Sequence, residues 1–276
     1  MQKYELGILD TRAIIKTLED SCGYDFKNYA LTFFKRRIEF IIKKYGLKNA
    51  SGFLQKITSD KDFIEIFLKE ITVETTEMFR DPSLWRYLKN DFLPKVVPNT
   101  SSFKIWFPEV STGEELFSLA ILLKELKLLD KVKFIVSSTS KTNIEQIQKG
   151  IFSAKKIETN NANFDRIFSN TKLNKYYTIK DDKAILDISL IKNTKFLKQS
   201  VIFDEYPKGI KLVICRNQML YFNQILQERF IKSTHNCIVP GGHFIIGNNE
   251  NIDYWNCDKD YVQILKSESI FKKKLS

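Results

Sequence analysis

Two histidines, His235 and His243, and four cysteines, Cys22, Cys215, Cys237 and Cys257, are the groups in this chain best suited to bind a metal or act as nucleophiles near neutral pH. No two cysteines form a CxxC pair, and no His or Cys spacing matches a zinc site, so no metal centre is expected. Three of the four cysteines sit beside apolar residues and read as small buried hydrophobes. Positive charge is what the chain has in excess: 44 Lys and Arg against 33 Asp and Glu, a net charge of +11. Between Lys27 and Lys56 stand eight basic residues (Lys27, Lys35, Arg36, Arg37, Lys43, Lys44, Lys48, Lys56) and one acid, Glu39. Such a segment suits an acidic partner, whether nucleic acid, an anionic membrane surface or an acidic protein, or is simply a solvated helix face.

The elements that must carry these groups follow from composition and periodicity. Hydrophobic residues are 43% of the 276 residues and 22 are Phe, enough for a packed core and for one large domain or two modest ones. No apolar run approaches the roughly 20 residues that span a bilayer, and the N-terminus lacks the apolar stretch of a signal peptide, so a cytoplasmic protein without membrane insertion is expected. Residues 1–72 read as helices. Ile38, Ile41, Ile42 and Tyr45 recur at helical spacing and predict one inward stripe. A further helix starts near Asp60, a good N-cap, with Phe63, Ile66, Phe67 and Ile71 on one side.

After residue 100 the pattern changes. Phe103–Phe107 is a short β-rich run, followed by Ser-Thr-Gly-Glu-Glu and a helix with Leu116, Leu119, Ala120 and Leu123 inward. Lys133–Val136, Lys211–Cys215 and His243–Ile246 are further strand candidates with helices between them. Strand, turn and helix repeated at this spacing predict a parallel sheet covered on both faces, with ligands beyond the carboxyl ends of its strands. Residues 176–188 read instead as a β-hairpin with a polar turn, an antiparallel excursion over about 172–192.

Four segments, in order, resemble the CheR-type chemotaxis receptor methyltransferases. They are residues 71–82 (ITVETTEMFRDP), Ile105-Trp106 with 111–120 (STGEELFSLA), 212–222 (LVICRNQMLYF) and 240–250 (PGGHFIIGNNE); Phe33 to Ile38 also looks like the family's arginine-rich helix. The resemblance implies a helical N-terminal domain (1–72) that faces the substrate and a Rossmann-like methyltransferase domain (73–276) with a small antiparallel β-subdomain. It implies transfer of a methyl group from S-adenosylmethionine to glutamate side chains of a methyl-accepting chemotaxis receptor. By the same resemblance Arg80 and Tyr221 fall at the reaction centre. Thr76, Arg80, Glu114, Asn217, Ser138, Ser200 and Val201 fall at cofactor positions, with Glu114 toward the cofactor's cationic amino-acid end. Arg36, Arg37, Lys43 and Lys44 would meet the acidic methylation helices of the receptor.

The departures from the family pattern cluster on the cofactor. Phe107-Pro108-Glu109-Val110 stand where small residues are usual, and Val136-Ser137-Ser138 where an acid ends the second strand and grips the ribose. Glu74, Ser200-Val201 and Asn248-Asn249-Glu250 replace Asn, Asn-Leu and His-Ser-Glu. Three readings stay open: an active protein-glutamate methyltransferase, in which Glu109 could replace the missing acid from a neighbouring loop; a pseudoenzyme that kept the fold as a receptor-binding or signalling module; and a nucleic-acid methyltransferase or binder. The last lacks an Asn/Asp-Pro-Pro-Tyr-type base-methylation motif, and no nucleic-acid partner is expected.

Overall fold

The computed structural model of the chain describes residues 4–72, 76–100, 102–200, 206–250, 252 and 259–275. Val201, Glu74 and Cys257, each singled out above, lie outside the described residues.

Four helices come first: α1 (Ile8–Cys22), α2 (Leu31–Lys44), α3 (Ala50–Ser59) and α4 (Lys61–Ile71). Gly23 and Gly46 close α1 and α2 in the left-handed conformation that glycine adopts without a Cβ penalty. Asp60 caps α4, its carboxylate accepting from the amides of Asp62 (3.0 Å) and Phe63 (3.2 Å). Ile38, Ile41 and Ile42 are buried against Phe34, Phe53, Phe63 and Phe67. Tyr45 departs from the expected inward stripe. It lies at the end of α2 with its ring edge-on to Phe63, exposed enough for its hydroxyl to donate to Glu70 (3.1 Å).

The rest of the chain alternates strands and helices: α5 (Pro82–Tyr87), α6 (Leu93–Val96), β1 (Phe103–Phe107), α7 (Glu114–Glu125), β2 (Val132–Ser138), α8 (Lys141–Gln148), β3 (Ile151–Ser153), α9 (Ile157–Asp165), β4 (Tyr177–Lys180), β5 (Lys183–Leu186), β6 (Thr194–Lys198), β7 (Ile210–Cys215), α10 (Gln224–Cys237), β8 (Ile238–Ile246), β9 (Tyr261–Leu265) and β10 (Ile270–Lys273). Seven strands form one sheet in the order β6-β2-β1-β7-β8-β10-β9. The first five are parallel; β10 lies antiparallel to β8, and β9 antiparallel to β10, to which a short turn connects it. Alternation along β1 shows how both faces are covered. Phe103, Ile105 and Phe107 pack into one core with α7, while Trp106 points into the other with α10.

The expected hairpin is present as β4 and β5, turning through Asp181 at φ +54°. A third strand joins it that periodicity did not reveal: β3, three residues long and far upstream, pairs antiparallel with β5. No helix among the described residues is long and apolar enough to cross a membrane.

Candidate active site

Strand order reverses beside β1: the chain runs outward through β2 and β6 on one side and through β7 and β8 on the other. Loops leaving the carboxyl ends of β1 and β7 therefore open a crevice between them, the usual place for a ligand in such sheets. The loop after β1 carries Glu109 to Gly113, and that after β7 carries Arg216 to Asn223. A cavity of about 90 Å³ lies there, lined by Thr76, Arg80, Glu109, Asn217 and Tyr221, with Tyr29 and Phe33 of the helical domain across its mouth.

Glu114 is the first residue of α7. Its carboxylate accepts from the hydroxyls of Thr76 and Thr112, which lie 3.3 Å apart, and Lys156 holds the Thr76 carbonyl at 2.9 Å. Burial pushes the Glu114 carboxyl above its ordinary range, opposed by these hydroxyl bonds. Lys156 offsets part of its charge, yet a half-buried carboxylate whose direct partners are neutral hydroxyls can still take a cationic ligand.

Arg80 is exposed at the lip of the cavity and sits between two residues with left-handed backbone, Phe79 (φ +55°) and Asp81 (φ +58°). Both neighbours are held from outside the turn. The Phe79 amide donates to Ser118 Oγ (2.9 Å) and its ring is fully buried; the Asp81 carboxylate pairs with Arg216. Arg216 is only 4% exposed and also reaches Glu115 Oε1 at 3.0 Å, so it ties α7, the β7 loop and the Arg80 turn together.

Tyr221 ends a turn clasped by one carboxylate. Glu250 Oε2 accepts from the amides of Asn217 (2.8 Å) and Gly247 (2.7 Å), and Oε1 from that of Met219 (2.6 Å). Asn217 takes φ +61°, a conformation that Asn tolerates better than most residues. Burial, then the nearby Glu250, raises the Tyr221 hydroxyl above its ordinary value, so it keeps its proton and can donate.

At β2 the expected acid is absent, yet a carboxylate stands there. Glu109, at φ +47°, turns its side chain toward the end of β2, accepting from Thr139 N (3.0 Å), Thr139 Oγ1 (2.5 Å) and Ser138 Oγ (3.4 Å). Desolvation raises its carboxyl to about 7 against the bonds from Thr139. Ser200 lies on the far side of Thr139, in a second recess shared with Lys198 and Tyr24.

A family model described as the CheR methyltransferase, SAM binding domain, matches residues 74–270, and one described as the CheR methyltransferase, all-alpha domain, matches residues 9–72. The chain belongs to the CheR methyltransferase family. The putative methyltransferase Cher3 of Pseudomonas putida is 28% identical, the match covering 96% of this chain and 97% of that protein. A chemotaxis protein methyltransferase of Borreliella burgdorferi is 26% identical over 91% of this chain and 92% of its own length. Among solved structures, the N-methyltransferase NodS of Bradyrhizobium japonicum in complex with S-adenosyl-L-homocysteine aligns at 7% identity over 72% of this chain and 89% of that one, with a TM-score of 0.40.

The cofactor of this family's matched domain is S-adenosylmethionine. The residues present fit it: a half-buried carboxylate, Glu114, near one end of the crevice, held by two neutral hydroxyls with Lys156 nearby, and a second, Glu109, at β2.

The expected site residues divide between cavity and flank. Thr76, Arg80, Asn217 and Tyr221 line one cavity, and Glu114 adjoins it through Thr76; Ser138 is fully buried beneath Glu109, and Ser200 lies beyond Thr139. Of the four basic residues expected to face a partner, Arg36, Lys43 and Lys44 are exposed. Arg37 alone turns inward, donating to the carbonyls of Glu70 and Thr72 (3.1 Å for the latter), while Lys44 stays exposed as it pairs with Glu70 at 2.6 Å. Sequence reasoning missed Arg216, Glu115 and Gln218 as parts of the site. Arg216, adjoining Asn217 after the buried apolar run Leu212–Cys215, carried the one available signal, since an arginine there has to find acids.

Proposed function

We propose that this protein methylates glutamate side chains of a methyl-accepting chemotaxis receptor, with S-adenosylmethionine as methyl donor. The convergence of Arg80, Tyr221, Asn217 and Thr76 on one cavity at the switch point carries the reading. S-adenosylmethionine supplies an electrophilic sulfonium methyl. A glutamate carboxylate is ionised at neutral pH and needs little help from a base. The protein's task is then to position it and exclude water, worth several kcal/mol of the barrier.

Arg80, with its planar fork, is suited to hold the two oxygens of an acceptor carboxylate, and Tyr221 to donate a further hydrogen bond. Tyr29, Phe33 and Phe222 form the apolar wall that keeps water out. Glu114 is suited to hold the donor's ammonium. Residues 1–72 act as the substrate-facing domain and 73–276 as the catalytic one, with an excursion at about 172–192.

Incubation of the purified chain with methyl-labelled S-adenosylmethionine and an acidic helical receptor fragment tests this. Base-labile label, released as methanol, is the expected product, lost in Arg80→Ala. Label that resists base, or none, would overturn glutamate ester formation. A second reading, a receptor-binding module without catalysis, is favoured by Glu109, a bulky side chain lining the cavity where the family has small residues. It predicts receptor capture by the wild type with no bound S-adenosylhomocysteine.

A further inference from the structure

Glu109 is held in place from both flanks. Its own carbonyl accepts from the Gln218 side-chain amide, from the β7 side, and the next amide, Val110 N, donates to Ser137 O (2.7 Å) on β2. A non-glycine residue at φ +47° persists only where its surroundings over-determine it. The left-handed turn directs the side chain across the gap between β1 and β2, where two groups of Thr139 and one of Ser138 fix the carboxylate at the close of β2.

Those bonds leave acceptor capacity. Two oxygens offer about four lone-pair directions. Thr139 takes one on each oxygen, and the Ser138 bond, at 3.4 Å, is long enough to yield to a better donor. What remains suits a pair of adjacent hydroxyls.

Resting on the methyl-transfer reading above, we propose that Glu109 is the residue that receives the ribose hydroxyls of the adenosyl ligand, so that the carboxylate absent from position 138 on β2 is delivered from the β1 loop instead. The ligand-binding carboxylate has moved from one strand end to its neighbour while keeping its place in space.

Calorimetric titration of the purified full chain with S-adenosylhomocysteine tests the assignment. Wild type should bind, and Glu109→Gly and Glu109→Gln should each weaken binding by about tenfold to a hundredfold, the range for a charge-assisted hydrogen bond. Adding Ser138→Asp to Glu109→Gly should recover most of the loss. Glycine relieves the left-handed backbone, so that variant should keep its fold, and a thermal melt beside each titration verifies it.

If Glu109→Gly binds as well as the wild type, or better, Glu109 is an obstacle and the inference fails while the cofactor reading stands. The inference fails in the same way if the wild type is silent and the double variant binds. If wild type, single variants and double variant all give no heat at millimolar ligand, the inference and the cofactor reading fall together.

Discussion

Phe33 of the helical domain lies nearly flat on Tyr221 of the β7 loop, ring centroids 4.1 Å apart and planes 21° from parallel. The contact is one part of a strap. The Ala30 amide donates to Tyr221 O (2.8 Å), the Asn223 amide donates to Asn28 O (2.9 Å), and Tyr29 packs edge-on to Phe222. Residues 28–33 thus fix the height of Tyr221 above the cavity.

Phe33→Ala should therefore affect turnover more than stability. Loss of an aromatic pair is worth about 0.5–1.5 kcal/mol beyond its area, and Phe33 is only half-buried. The melting temperature should fall by a few degrees, while methyl transfer falls about tenfold and Phe33→Tyr restores it. A variant that melts lower yet transfers methyl at the wild-type rate would show that the stack does not set the position of Tyr221.

Arg216 should be the most costly of the site residues to remove. It is buried beside the half-exposed Asp81 and Glu115, and its loss leaves Glu115 with only the more distant charge of Arg80. Breaking a fully buried pair from one side costs about 3–5 kcal/mol, and the exposure of Asp81 and Glu115 brings the cost here below that. Arg216→Met is expected to lower the unfolding free energy by about 2–3 kcal/mol, and Arg216→Met with Glu115→Gln to recover part of it. A single variant as stable as wild type would mean that Arg216 does not clamp the Arg80 turn.

Much of this frame was legible in the sequence, and the illegible parts have physical causes. Periodicity found α2, α4 and the β1, β2, β7 and β8 strands, because each is amphipathic or wholly apolar. It missed β3, whose three residues carry too short a pattern, β6 and β9, edge strands whose mixed polarity resembles a loop, and β10, four residues of which two are lysines. Family motifs brought Thr76, Arg80, Asn217 and Tyr221 to one place. They could not show that Arg37 faces inward, since a helical stripe gives the direction of a Cβ and not the partner that a long side chain will reach. Nor could a missing acid at 138 reveal where Glu109 goes; that depends on the left-handed turn at φ +47°.

Glu109 also gives the chain a pH signature. Its carboxyl rises from the ordinary 4.5 to about 7, so the native state binds this proton more tightly than the unfolded chain. Glu114, Glu115 and Glu250 shift the same way through burial. The contribution of Glu109 to stability is complete below about pH 4.5 and is lost as pH rises through 7, at no more than about 1.4 kcal/mol per pH unit. In thermal melts at pH 5 and pH 8 the wild type should lose more stability between the two than Glu109→Gln does. Equal losses would show that Glu109 does not titrate in that window.

The basic helix separates into surface and scaffold, which makes the partner surface testable by charge reversal. Arg36 and Lys43 are exposed on α2 beside Phe40, itself 43% exposed. Arg37 sits 4.7 Å from the Phe40 ring and secures the end of α4 through the carbonyls of Glu70 and Thr72. Arg36→Glu with Lys43→Glu should leave the melting temperature within about 2 °C, since exposed charges contribute little to stability. The same pair should weaken capture of an acidic helical receptor fragment, with a salt dependence shallower than that of the wild type. Arg37→Glu should behave differently, placing a carboxylate against two carbonyls and lowering the melting temperature before any partner is added. Should Arg36→Glu with Lys43→Glu bind the fragment as tightly as wild type at low salt, the docking surface lies elsewhere than α2.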